Sequence, residues 1–112
     1  MIFVDYLGPA ERLAKVRAVT ERAVGSALRV PPGDVVVRHV LIADPAPEVE
    51  LWVELSSEEQ LYRLGRSIAE DIATGLRPDG NGPNVWVMFR IVPLNRAFLN
   101  GEPRGRGTPS FD

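Results

Sequence analysis

Two stretches of this chain carry the same order of signals: a short apolar strand, a long amphipathic helix, a turn marked by proline or glycine, and a second apolar strand. Leu13, Val16, Thr20, Val24 and Leu28 fall on Leu61, Leu64, Ile68, Ile72 and Leu76 at a shift of 48 residues. Asp34-Val35-Val36-Val37 falls on Asn84-Val85-Trp86-Val87 at a shift of 50, so the second loop is two residues longer. Residue identity between the halves is low; order, lengths and punctuation are what repeat. The string is βαββαβ, which predicts an α/β (α+β) fold with a tandem β-α-β repeat, four main strands and two helices on one face.

The elements follow from local chemistry. Residues 2–7 alternate as a strand, and Gly8-Pro9 starts a helix running to about Arg29, with proline at its first position. Glu11 and Lys15 stand in the favourable i, i+4 order on its wet side. Pro31-Pro32-Gly33 ends this helix, Asp34 to Ala43 reads as a strand, and Asp44-Pro45-Ala46-Pro47 as a stiff connector. In the second unit Leu51 to Leu55 reads as a strand and Ser56-Ser57-Glu58-Glu59 as a capping box. The helix it starts extends to about Leu76. A loop over 77–83 leads to a strand from Asn84 to Val92. Asn100-Gly101 suits a type I′ hairpin turn, and Gly105 to Asp112 reads as a flexible tail. The chain of 112 residues is read as a single domain: unit one over 1–47, unit two over 48–92, and a C-terminal hairpin and tail over 93–112.

Two such units side by side give a four-stranded sheet, and a split arrangement of the same string gives a ferredoxin-like sheet. Periodicity does not separate them. In both, the helices cover one sheet face, yet the strands over 34–43 and 84–92 are apolar on both faces. Another subunit is the expected cover, so an oligomer is predicted.

Composition removes several chemistries. The absence of cysteine excludes a disulfide scaffold, a zinc–thiolate site and a cysteine nucleophile. A net charge of −2 without a basic run points away from nucleic acid, although twelve of the thirteen basic residues are arginines. Apolar runs are too short to span a membrane. The opening Met1-Ile2-Phe3-Val4-Asp5 lacks a basic region and meets an acid at once, unlike a signal peptide, so a cytoplasmic location is expected. Gly80-Asn81-Gly82 follows a helix rather than a strand and lacks the lysine of a phosphate loop. Arg104-Gly105-Arg106-Gly107 reads as a solvated tail. No cofactor and no metal is expected, and the lone His39 reads as a satisfied core or interface residue.

Candidate site residues remain. Arg38 and Arg90 lie in apolar strands, on equivalent faces by alternation, where each needs an anion: a small carboxylate ligand, or an Asp or Glu of this or a neighbouring subunit. Trp86, Phe89 and Phe98 are candidates for an apolar pocket, with Tyr6 supplying a hydroxyl, or else for ordinary core.

Some of these residues resemble a known family. Val30-Pro31-Pro32-Gly33-Asp34-Val35-Val36-Val37 is similar to the helix–Pro–Pro–strand junction of 4-oxalocrotonate tautomerase subunits. Ser57-Glu58-Glu59-Gln60, followed by Asn84-Val85-Trp86-Val87, looks like a second copy. Phe98-Leu99-Asn100-Gly101 resembles the hairpin that closes such subunits. The likeness covers roughly residues 2–101 and points to the fused, trimeric branch of the tautomerase superfamily, which includes macrophage migration inhibitory factor. The resemblance implies a homotrimer with sheets inward and helices outward, and a site for a small carboxylate or enol acid between subunits. The family's base is an amino-terminal proline, but Ile2 stands in its place. The family's arginine positions near residues 8–10, or at Ser56, and at Val36 or Trp86 hold no arginine here. On this resemblance Met1, through its terminal amine, is the candidate base, and Arg38, Arg90, Trp86, Phe98 and Tyr6 are the candidate substrate-binding residues. If active, the protein is expected to be an isomerase or a related decarboxylase or hydratase. The alternative is a non-catalytic homologue, a ligand-binding or structural subunit, alone or paired with a proline-bearing sister chain.

Overall fold

The computed structural model describes residues 1–44 and 46–103; Pro45, the Arg104-Gly105-Arg106-Gly107 stretch and the remaining tail lie outside the described residues. The main elements are β1 (Ile2–Leu7), α1 (Leu13–Leu28), β2 (Val35–His39), β3 (Val49–Leu55), α2 (Glu58–Leu76) and β4 (Val85–Ile91), followed by the small strands β5 (Phe98–Leu99) and β6 (Glu102–Pro103). The sheet order is β2-β1-β3-β4. Strand β1 is parallel to β2, β3 is parallel to β4, and β1 and β3 are antiparallel neighbours. Two β-α-β units, each with parallel strands, thus meet through their first strands. This order selects the side-by-side arrangement over the split one.

Alternation decides which side of the sheet the helices cover. Ile2, Val4 and Tyr6 of β1, Val35 and Val37 of β2, and Val49, Leu51, Val53 and Leu55 of β3 are all buried. They pack with Val16 and Val24 of α1 and Ile68 and Ile72 of α2 in one core. The intervening residues point to the opposite face, which no helix covers. Val36, Trp52 and Met88 there are half-buried, and Trp86 is 55% exposed.

Several boundaries move for stated reasons. Pro9 precedes a short 3-10 turn, Ala10–Arg12, rather than opening the α-helix, and the regular helix begins at Leu13. The Pro9 carbonyl accepts from the Tyr6 hydroxyl at 2.7 Å and from the Arg12 amide at 3.2 Å. The expected strand over 34–43 stops at His39. Its neighbour β1 turns away at Gly8-Pro9, and the last bond runs from the Val40 amide to the Tyr6 carbonyl at 2.8 Å. Val40, Leu41 and Ile42 then run on without a ladder, with Leu41 82% exposed.

The cap of α2 lies one residue later than the expected Ser56–Glu59 box. The Ser57 hydroxyl accepts from the Gln60 amide at 3.1 Å. The Gln60 side chain accepts in return from the Ser56 amide and hydroxyl, each at 2.8 Å. Asn100 and Gly101 have φ of 55° and 85°, the left-handed pair that a type I′ turn requires, and they close the β5–β6 hairpin. Among the described residues, no helix is long and apolar enough to cross a membrane.

Candidate functional site at the open sheet face

The uncovered face is organised by cross-strand partners. Arg38 on β2 stands opposite Asp5 on β1, Asp5 opposite Trp52 on β3, and Trp52 opposite Met88 on β4. In the next row Glu54 on β3 stands opposite Arg90 on β4. Directly paired residues share a face, so all of these side chains rise from the same side.

Asp5 is the centre. Its Oδ1 accepts from Arg38 Nε at 2.8 Å and lies 2.8 Å from Arg38 Nη2, while its Oδ2 accepts from Arg90 Nη1 at 3.0 Å. Glu54 Oε1 lies 3.9 Å from Arg38 Nη2. Each guanidinium also sits over an aromatic ring, Arg38 over Phe3 and Arg90 over Trp52, both 4.8 Å from the ring centre. Such a cation–π contact contributes about 0.5–1 kcal/mol where the site is exposed. The side chains of both arginines are 44% exposed, against 12% for Asp5 and 8% for Glu54. The cations therefore lie on top and the carboxylates beneath.

The other predicted site residues are spread over the fold. Trp86 is on the open face, and its indole N–H donates to Glu48 Oε2 at 2.9 Å. Phe98 is 65% exposed on the separate hairpin. Met1 precedes β1 and is exposed. Tyr6 points the other way, into the helix-side core. Its ring is buried and stacks on His39 at 5.2 Å, and His39 Nε2 lies 3.0 Å from the Gly8 carbonyl oxygen. Phe89 packs against the core on that side too. The chain thus brings Arg38 and Arg90 together but leaves Trp86, Phe98 and Tyr6 apart. Burial pushes the Tyr6 hydroxyl pKa above its ordinary value, with the Arg12 cation opposing the shift and the Glu11 carboxylate adding to it.

Sequence patterning alone does not single out Asp5, Glu54, Phe3 and Trp52. Strand alternation was the available signal for Asp5, since it places Asp5 opposite Ile2, Val4 and Tyr6 in facing direction. Nothing local announces an ion pair with Arg90. A cavity of about 150 Å³ lies on the helix side between the start of α1 and the end of α2, lined by Arg12, Lys15, Val16 and Leu76 among others. It contains none of the predicted site residues. No group of His, Asp and Glu suited to a metal ion occurs among the described residues.

No protein-family model matches the chain, and no curated protein matches it by sequence. Solved structures do. A fused 4-OT described as an asymmetric trimer is 20% identical with a TM-score of 0.63, over 90% of this chain and 94% of that one. A macrophage migration inhibitory factor-like protein from Entamoeba histolytica is 9% identical with a TM-score of 0.62, over 91% and 96%. A member of the cis-3-chloroacrylic acid dehalogenase family is 18% identical with a TM-score of 0.59, over 94% and 85%. The chain has the fold of the tautomerase superfamily.

Proposed function

We propose that this chain is a subunit of a homotrimer, and that a small carboxylate or enol acid binds at the open sheet face where subunits meet, through Arg38 and Arg90. The observation that carries the reading is the convergence of two arginines from the outer strands β2 and β4 on the middle of an uncovered face. Each lies against an aromatic ring and bonds to Asp5 through part of its guanidinium. The planar fork of a guanidinium suits a carboxylate.

Assembly is supported by what one subunit leaves exposed: Val40, Leu41 and Ile42 beyond β2, Trp86 on the open face, and Phe98 and Leu99 on the hairpin. It is supported too by the trimeric description of a protein with the same fold. In this reading the base is the terminal amine of Met1, at the head of β1. A chain preceded by further residues lacks that amine and binds its ligand without turning it over. Trp86 and Phe98 join the site from neighbouring subunits.

A second reading, a non-catalytic structural subunit alone or beside a proline-bearing sister chain, is favoured by Asp5, which already takes a bond from both arginines. Native mass spectrometry and calorimetric titration with malonate separate the readings, together with turnover assays on hydroxymuconate and enol pyruvate. Trimers that bind malonate support the first, with turnover assigning an enzyme. Trimers that bind no carboxylate support the second. A monomer at micromolar concentration refutes the first reading and the self-assembled form of the second.

A further inference from the structure

The open face presents its two exposed cations already committed to a carboxylate of the same chain. Asp5 uses one oxygen for each arginine: Oδ1 for Arg38 Nε and Nη2, Oδ2 for Arg90 Nη1. This is the pose a small carboxylate ligand would take between two guanidinium groups. An ordinary exposed ion pair is worth little and exchanges freely with water. Asp5 is different because its carboxylate is 12% exposed, lying on the sheet beneath two side chains that are 44% exposed. Glu54, 8% exposed, brings a second carboxylate within 3.9 Å of Arg38 Nη2. Two guanidinium groups thus face two carboxylates. A ligand carboxylate arriving from solvent is a further negative group beside Asp5 and Glu54.

We infer that Asp5 is the specificity-determining residue of this face: its carboxylate occupies the Arg38–Arg90 pair as a built-in ligand, and a small carboxylate enters the pair only in competition with it. The inference rests on the reading of Arg38 and Arg90 as a carboxylate site. It adds that the site is self-occupied, and that removing one negative charge opens it. Strand β1 positions Asp5 between the two outer arms of the sheet, where it takes a bond from both arginines. The rings of Phe3 and Trp52 hold the guanidinium groups in place when Asp5 is gone, because that stacking does not depend on the carboxylate.

The experiment compares malonate binding by the wild type, Asp5→Asn and Asp5→Ala, with Asp5→Asn/Arg90→Ala as control. Circular dichroism and native mass verify fold and assembly of each variant. The expected result is a gain of about tenfold or more in malonate affinity for Asp5→Asn or Asp5→Ala, the effect of regaining one charge-assisted contact, lost again in the double variant. If the wild type binds malonate and neither single variant binds more tightly, the inference falls while the carboxylate-site reading stands. If a single variant binds and the wild type does not, the inference stands and the wild-type chain is the structural subunit. If folded variants and wild type alike bind nothing, both fall. Should neither variant fold, the Arg38 Nε–H resonance of the wild type decides. A malonate-induced shift supports competition with Asp5, and an unmoved resonance under saturating malonate overturns it.

Discussion

Replacing Tyr6 with phenylalanine tests how the start of α1 is tied to the sheet, and the effect should depend on pH in a defined direction. The Tyr6 hydroxyl donates to the Pro9 carbonyl at 2.7 Å, from a buried ring stacked on His39. Near neutral pH, Tyr6→Phe removes that one bond while keeping the ring, at a cost of about 1 kcal/mol. In a chain of this length that lowers the melting temperature by about 3–6 °C. At alkaline pH the comparison changes. A phenolate has no proton to give Pro9 and loses its hydration where it lies, so burial holds the Tyr6 pKa above its ordinary value. The folded chain therefore keeps this proton after the unfolded chain has released it. The stabilisation is complete below the unfolded pKa of about 10 and is lost as pH rises from there through the folded value. The slope is at most about 1.4 kcal/mol per pH unit. The phenylalanine variant lacks this loss, so the two stabilities should converge as pH climbs past about 10. The assay is chemical denaturation followed by circular dichroism from neutral to strongly alkaline pH. Parallel stability curves across the alkaline range would refute the argument.

Three further substitutions probe the scaffold. Thr20 is fully buried in α1, and its hydroxyl makes no hydrogen bond among the described residues, so Thr20→Val should stabilise by about 1 kcal/mol. A raised denaturant midpoint at unchanged slope would show it. A Cβ on Gly75 of α2 would lie 2.6 Å from Val19 Cγ1 of α1, and Val19 is stiff at χ1. Gly75→Ala should therefore cost about 1–2 kcal/mol despite alanine's better helix propensity, and adding Val19→Ala should recover part of it in a double-mutant cycle. Ser57→Ala removes the acceptor of the Gln60 amide at the start of α2 and should cost about 1 kcal/mol in thermal melts, with Gln60→Ala giving a loss of similar kind.

The parts legible in the sequence are those whose cause is local. The two helices follow from apolar residues spaced three and four apart, the hairpin from Asn100-Gly101, and the strands from apolar runs between proline- and glycine-rich turns. The repeat predicted two like units, and the uncovered second face followed because two helices cannot wrap both sides of a four-stranded sheet. Alternation also placed Arg38 and Arg90 on equivalent faces, and both do rise from the open side.

What the sequence left open depends on contacts between distant residues. The choice between side-by-side and split sheets is made by β1 pairing antiparallel with β3, a contact no periodicity encodes. The end of β2 at His39 is set by where its neighbour turns away, not by its own apolar residues, which continue to Ile42. Tyr6 falls on the helix side, away from the open-face arginines, because it shares its direction with Ile2 and Val4. The pairing of Asp5 with Arg90, 85 residues apart in the chain, exists only once β1, β3 and β4 lie in register. Short-range order is written in residue spacing because neighbouring side chains meet whatever the rest of the chain does. An ion pair across three strands is not, because the sheet must assemble before its charges come within reach.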